Sequence, residues 1–364
     1  MKQIYFYLFV KCKLFFFFLI SILIPSQLKN LETHLVTGAT GLVGMHIVFD
    51  LLSQNKKVCA TFTKNSNRNI VKNVFTHYGF SNYYDKINWI KMDLEDVTEV
   101  YQAIEGVDFV YHSGAIVSFN KSDYELMRKI NIDGTTNIVN ACLEHKIKKL
   151  AFISSVASIG RDGKREYSEK NKWSSGKENS FYALTKYKAE NEVWRGIEEG
   201  LSAVITNPGI IIGPSDWGRS STTIFKQIHK GLSYFPLGIN GFVDVRDVAR
   251  ATIALMDSKI SGERYILVGE NLSYQSVFDD IALSLNRPKP NKKATKSILE
   301  IAWRLEAIRC FISNKKQSIT KETARTSHQV NIYKNQKIIN ALNYNFNPIK
   351  EAISNTSNFL LKFK

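Results

Sequence analysis

HLVTGATGLVG, residues 34 to 44, reads as a short apolar strand, a glycine turn and the start of a helix near Leu42. Its glycines, at 38, 41 and 44, have separate physical tasks at that spacing. Gly38 permits the tight turn, Gly41 lets backbone approach a pyrophosphate, and Gly44 lets the helix pack on the strand. The phosphate would sit on the helix N-terminus, where unpaired N–H groups point outward. Glycine-rich turns without a ligand are common, so the triplet alone is a weak signal. Here an apolar strand precedes it, and the helix that follows carries Ile47, Val48, Leu51 and Leu52 as an inward stripe.

Outward from that turn, apolar strands alternate with amphipathic helices. This predicts an α/β fold, a Rossmann doubly wound parallel sheet with helices on both faces. Strands are predicted at residues 33–37, 57–62, 87–92, 108–111, 150–154, 202–206 and 263–268. Asn131 is expected to open a long helix, NIDGTTNIVNACLEHKIKKL, and the polar stretch 161–180 reads as a surface excursion. The Rossmann domain would span 31–207, and 208–364 would form a smaller C-terminal substrate-binding lobe, with 243–268 returning to the sheet. In FVDVRDVA, Asp244 and Asp247 are expected to be helix caps or domain-lock residues.

A chain of 364 residues can bury a large core. Its net charge of +16, from 49 basic and 33 acidic residues, would suit nucleic acid or an anionic membrane if the lysines were clustered. They are scattered, apart from RPKPNKKATK (Arg287 to Lys296), which lacks interleaved aromatics and reads as a solvated surface segment. No nucleic-acid partner is expected. Cysteines at 12, 59, 142 and 310 form no CxxC and no close pair, so neither a metal site nor a disulfide is predicted, and the body reads as a reduced, cytoplasmic protein.

Residues 1–30 form a hydrophobic extension. Its clean apolar run, Leu14 to Ile24, is eleven residues, nearer a signal-peptide core than a bilayer span of about 20 residues. No A-x-A-like cleavage site follows in PSQLKN. Three readings stay open: a membrane anchor through residues 1–24 with the enzyme on the cytoplasmic side, a targeting segment, or a misassigned start. Against the last, no methionine lies between Met1 and Met45.

The end of strand two decides which dinucleotide fits. An acidic residue there would bind a ribose 2′-hydroxyl and repel a 2′-phosphate. The loop TKNSNR has none, and Thr63, Lys64, Ser66 and Arg68 offer hydroxyls and positive charge, which favours NADP and leaves NAD open. Asp93, ending strand three, can cap the following helix and contact adenine. His112 reads as a packed group, and Gly114 and Ala115 leave room for the cofactor. Tyr182 and Lys186, four apart on a helix, share one face. A phenol with a pKa of about 10 is a poor base near neutrality, but a nearby ammonium and a positive nicotinamide ring would favour the phenolate. The Ser155 hydroxyl, at another strand end, would hold a reacting carbonyl against that phenol.

TGATGLVG, NIDGT, ISSVASIG, YALTK, NPGIIIGP and FVDVRDVA, in that order, resemble the extended short-chain dehydrogenase/reductase superfamily in its NAD-dependent epimerase/dehydratase division. The resemblance runs from about residue 33 to the C-terminus. It is nearest the dihydroflavonol-reductase-like branch, through VSF after strand four and KETAR at 321–325. It implies Ser155 as catalytic serine, Tyr182 as acid/base, Lys186 as the group that binds the nicotinamide ribose and lowers the phenol pKa, and Asn131 as the helix asparagine, structural or in a proton relay. It implies cofactor contacts at Gly38, Thr40, Gly41, Leu42, Val43, Gly44, Asp93, Leu94 and Ala115, with Lys64 beside them and Pro208 and Gly209 near the carboxamide. Substrate contacts are expected around Ser118, Phe119, Asp216 and Trp217, and a two-fold homodimer is common in the superfamily.

One departure bears on the reaction: Ser154-Ser155-Val156 stands where dehydratases carry a Thr-Asp-Glu set, which disfavours elimination. Gly114 replaces a frequent alanine, which would slightly loosen the fit without changing the chemistry. The leading expectation is an NADP-dependent reductase acting on the carbonyl of a small molecule. A nucleotide-sugar epimerase with bound NAD and a non-catalytic dinucleotide-binding protein stand behind it.

Overall fold

A computed structural model describes residues 32–363 other than 177, 220 and 314–316, so the hydrophobic extension and the readings attached to it lie outside the described residues. Seven parallel strands form the central sheet: β1 Thr33–Thr37, β2 Lys57–Phe62, β3 Asn88–Lys91, β4 Phe109–His112, β5 Lys149–Ile153, β6 Ala203–Pro208 and β7 Glu263–Leu267. They lie in the order β7-β6-β5-β4-β1-β2-β3. Strand order reverses at β1 and β4, so the loops after these two strands part and open a crevice at the carboxyl edge, where such sheets place ligands.

Every residue of β1, β5 and β6 is buried, because helices cover both faces of the sheet. Successive side chains of a strand point to opposite faces; in β1, Leu35 joins one core and Val36 the other. Helix α1, Leu42–Ser53, buries Met45, Ile47, Val48 and Leu51 in the same core as Val248, Ala251 and Leu255 of the helix Val245–Asp257. On the other face lie α2, Gly134–Glu144, and α3, Phe181–Glu198, through Ile138, Val139, Ala189 and Val193. Among the described residues no helix is long and apolar enough to cross a membrane.

Two expectations are corrected. The helix at Asn131 begins earlier, with Tyr124–Arg128, and passes through a π turn, Lys129–Asp133, before α2; Asn131 is thus inside a local widening of the helix, a device often found at functional sites. The excursion 161–180 is partly built into the fold, since Glu166–Tyr167 pairs in parallel with Ile332–Tyr333 and Tyr167 is buried. A partner so distant in sequence leaves no local periodicity. The segment Ile239–Asp244 forms a separate three-stranded sheet with Ile210–Ile212 and Glu270–Ser273. Asp244 caps the next helix by accepting from the Arg246 N–H at 2.8 Å. Asp247 pairs with Arg250 and accepts from the Asn347 N–H at 2.8 Å, which ties the C-terminal segment to the helix Val245–Asp257.

Candidate active site

The glycine turn is tight on two sides and open on the third. Gly38 has φ +63, and a Cβ there would stand 2.7 Å from the Gly114 Cα; one at Gly44 would stand 2.4 Å from the Gly38 carbonyl oxygen. At Gly41, chain neighbours aside, that same oxygen at 3.0 Å is the one atom within 4 Å of an added Cβ among the described residues. Gly41 is also the N-cap of α1, with no side-chain cap and no acid in the first turn. The first-turn N–H groups of Leu42, Val43 and Gly44 therefore lack a built-in anion, and the open side at Gly41 admits one. Thr40 is buried, and its carbonyl accepts from the Arg219 guanidinium at 3.4 Å. These residues fit a dinucleotide pyrophosphate.

Gly114 does not loosen this end. A Cβ there would stand 2.9 Å from Leu94 Cδ1, so the buried Leu94 side chain occupies the space an alanine would need. Ala115 beside it is exposed. Asp93 is not the cap of the helix Val97–Ile104; Asp96, one residue before that helix, accepts from the Glu99 N–H at 3.1 Å, and a capping side chain reaches only the N2 or N3 amide. Asp93 accepts from the Glu95 N–H at 3.1 Å. With Thr63 and Lys64 it borders a cavity of about 590 Å³ that Glu95, Asp96 and Glu99 also line. Lys64 is exposed, and the Arg68 guanidinium lies over the Phe62 ring at 4.5 Å.

The reacting groups come from two strand ends and one helix. After β5, Ser155 begins a single turn, Val156–Ile159, and its Oγ accepts from the Ala157 N–H at 3.1 Å. Ser180 caps α3 by accepting from the Ala183 N–H at 3.1 Å, which sets Tyr182 and Lys186 one turn apart on the inner face. The Ser155 hydroxyl near the Tyr182 phenol favours its ionised form, but burial dominates and pushes that phenol up to about 12. The Phe119 ring stands edge-on to Tyr182, with centroids 6.1 Å apart.

Lys186 does not pull the phenol down in this arrangement. Its ammonium donates to the Ile153 carbonyl at 2.9 Å and lies 4.3 Å from the Phe152 ring centre, so its protons are directed at the end of β5. Burial pulls Lys186 down to about 7, and the charge of Glu190 opposes this. His112 is packed as expected, between Thr37 Oγ1 at 2.7 Å and Thr135 Oγ1 at 3.1 Å, and burial holds it neutral with a pKa of about 3.

Asn131 is fully engaged: its Oδ1 accepts from the Ile116 N–H at 2.8 Å, and its Nδ2 donates to the Ile116 carbonyl at 2.9 Å and to Thr185 Oγ1 at 3.1 Å. It joins the loop after β4 to α3. Ser118 donates to Asp123 at 2.7 Å. The Trp217 indole donates to the Leu360 carbonyl at 3.0 Å, and the Asp216 carbonyl accepts from Thr222, so this segment is tied to its own frame. Pro208 ends β6, and the Gly209 N–H donates to the Leu267 carbonyl at 3.0 Å.

One group escaped the sequence reading. Glu190, one turn beyond Lys186 and buried, accepts from Ser154 at 2.7 Å, Ser158 at 2.6 Å and Asn207 at 2.9 Å, and pairs with Arg264 at 3.0 Å. Asn207 also donates to the Ser155 carbonyl at 3.1 Å, and the Ser158 hydroxyl oxygen lies 2.8 Å from that same oxygen. This network fixes the backbone of Ser155 from behind. An acidic residue four places after Lys186, on the inner helix face, was the available signal.

Residues 34–269 match the model of the NAD dependent epimerase/dehydratase family. The chain belongs to that family. It is an NAD(P)-dependent dehydrogenase/reductase of the extended short-chain type. Among similar proteins, a putative dihydroflavonol 4-reductase of Synechocystis is 29% identical over 88% of this chain and 92% of its own length. Sterol demethylase protein B of Methylococcus capsulatus is 28% identical over 71% of this chain and 76% of its own. The enzyme superposes on gox2253 with a TM-score of 0.76 at 26% identity, over 91% of this chain and 98% of that one. UDP-glucose 4-epimerase of Thermotoga maritima, at 18% identity and a TM-score of 0.72 over 91% of this chain and 99% of that one, shares the fold.

Proposed function

We propose that the enzyme is an NADP-dependent reductase of a small-molecule carbonyl, in which Ser155 and Tyr182 act on the carbonyl oxygen. The observation that carries this reading is the placement of the Tyr182 phenol near the Ser155 hydroxyl at the end of β5, with Lys186 one turn away on the same helix. The nicotinamide, when bound, supplies the hydride. Ser155 donates a hydrogen bond to the substrate oxygen and fixes its position. Tyr182, held protonated through the neutral range, gives its proton to that oxygen as negative charge develops there. Lys186 is the group to hold the nicotinamide ribose hydroxyls. The first-turn N–H groups at Leu42 and Val43 would hold the pyrophosphate, Asp93 the adenine side, and Lys64 with Arg68 a 2′-phosphate. Asn131 positions the loop that carries Ser118 and Phe119. Several relatives bear reductase names, among them cinnamoyl-CoA reductase 1 of Petunia hybrida and vestitone reductase of Medicago sativa, which supports the direction chosen. The test is NADPH and NADH oxidation across a panel of aldehydes and ketones. Turnover with a lower KM for NADPH is expected; NADPH that binds but is never oxidised would overturn the reading.

A further inference from the structure

A second cavity, of about 520 Å³, is lined by Arg161, Arg165, Lys296, Arg325, His328 and Asn331 among others. Its walls continue the segments that carry Ser155 and Tyr182. Arg161 follows Gly160, at the end of the turn that Ser155 begins, and its N–H donates to Asn179 Oδ1 at 2.9 Å; Asn179 precedes Ser180, the cap of α3. Glu322, one turn before Arg325, accepts from the Phe181 N–H at 3.2 Å.

The polar balance of this cavity is one-sided. Arg161 reaches only neutral groups, the Tyr333 hydroxyl at 3.3 Å and Gln329 Oε1 at 3.4 Å. Of its two acids, Glu178 accepts from the Gln329 amide within the same wall, and Glu300 pairs with Arg304. Lys164 on the rim pairs with Asp162 at 2.8 Å. Among the described residues Arg161, Arg165, Lys296 and Arg325 form no ion pair. Asn331 is 2% exposed, and its Nδ2, the Arg325 Nε and the His328 Nε2 are shut from solvent without a hydrogen-bond partner. Nδ2 and Nε can only donate. Leaving a buried donor unpaired is costly, so a wall that keeps two of them among unpaired cations is complementary to a group made only of acceptors. Carboxylate and phosphate oxygens are such groups, and guanidinium binds both in a two-pronged manner.

We propose that the carbonyl substrate carries a carboxylate or a phosphate and that this cavity seats it, with Arg325, Arg161 and Asn331 as the specificity-determining residues. This rests on the reductase reading above. It is tested by kcat/KM for two matched pairs, para-carboxybenzaldehyde against benzaldehyde and glyceraldehyde phosphate against glyceraldehyde. The anionic member of at least one pair is expected to be favoured about tenfold, a difference of about 1.4 kcal/mol, and the favoured pair tells carboxylate from phosphate. The anionic-to-neutral ratio should collapse in Arg325→Gln and recover in part in Arg325→Lys, and a ratio is insensitive to loss of folded protein. Equal rates within both pairs, or a preference untouched by Arg325→Gln, would overturn the proposal. In parallel, benzoate and inorganic phosphate are titrated calorimetrically into wild type and Arg325→Gln. If no carbonyl is reduced, the reductase reading fails, and the titration still judges the cavity: binding lost in Arg325→Gln supports an anion site, and no binding to wild type overturns it. Anion binding without any substrate preference overturns the assignment to the substrate.

Discussion

The glycine turn and the basic cavity are both pieces of ligand-binding surface, yet they are built in opposite ways. In the turn, backbone does the work: Gly38 and Gly44 are closed by atoms under 3 Å from any added Cβ, and the first turn of the helix that follows carries no acidic residue. In the cavity, side chains from residues 161–167, 296–300 and 324–331 converge, and several of their donors are unpaired. Backbone geometry tolerates little change, whereas a side-chain wall can be re-specified one residue at a time. The first region should therefore govern whether the enzyme works, and the second what it works on.

The reaction groups between these regions give the largest effect. Tyr182→Phe should lower kcat by about 10³-fold with NADPH affinity kept, read by steady-state kinetics beside a binding titration; an unchanged kcat would remove Tyr182 from the chemistry. Next is Glu190→Ala, which leaves Arg264 without its buried partner and should cost about 3 kcal/mol of stability in denaturant unfolding. Glu190→Gln, which keeps the hydrogen bonds, should cost less. Gly38→Ala forces a side chain into left-handed backbone against Gly114, for about 1–2 kcal/mol from the backbone alone, and should weaken NADPH binding before it alters the carbonyl KM. A rise in the carbonyl KM alone, with NADPH binding kept, would break the division drawn above.

The smaller effects concern charge. Lys186 is charged below its pKa of about 7 and neutral above it. NADPH affinity of the free enzyme should thus weaken as pH rises through about 7, and Lys186→Arg, which keeps the charge, should flatten that dependence. Lys64 is exposed, so Lys64→Ala should change the NADPH-to-NADH preference by only about threefold, read as a ratio of KM values.

The same division explains what the sequence could say. Strands β1 and β2 and the start of α1 were legible to the residue because apolar period and glycine spacing are local, and Tyr182 with Lys186 was legible because four residues make one helical turn. The cap at Asp96 was missed because Asp93 and Asp96 offer the same carboxyl and only the helix start separates them. The burial that raises the phenol's pKa in the chain alone could not be read from the sequence, because desolvation depends on neighbours that periodicity does not name. Gly114 was read as slack because Leu94, which fills its space, lies on another loop. The basic cavity was invisible, since Arg161 and Asn331 meet only through the pairing of residues 166–167 with 332–333.

Asn131 uses its amide on both backbone groups of Ile116 and on Thr185, which nails the loop after β4 at its near end. The chain just past that point, Val117 to Asn120, is thereby released from any duty to hold the cofactor side in place. Such a segment is a natural graft site: it can be lengthened or exchanged with that of a relative to recast the pocket mouth, while the hinge at Ile116 keeps the register of everything before it.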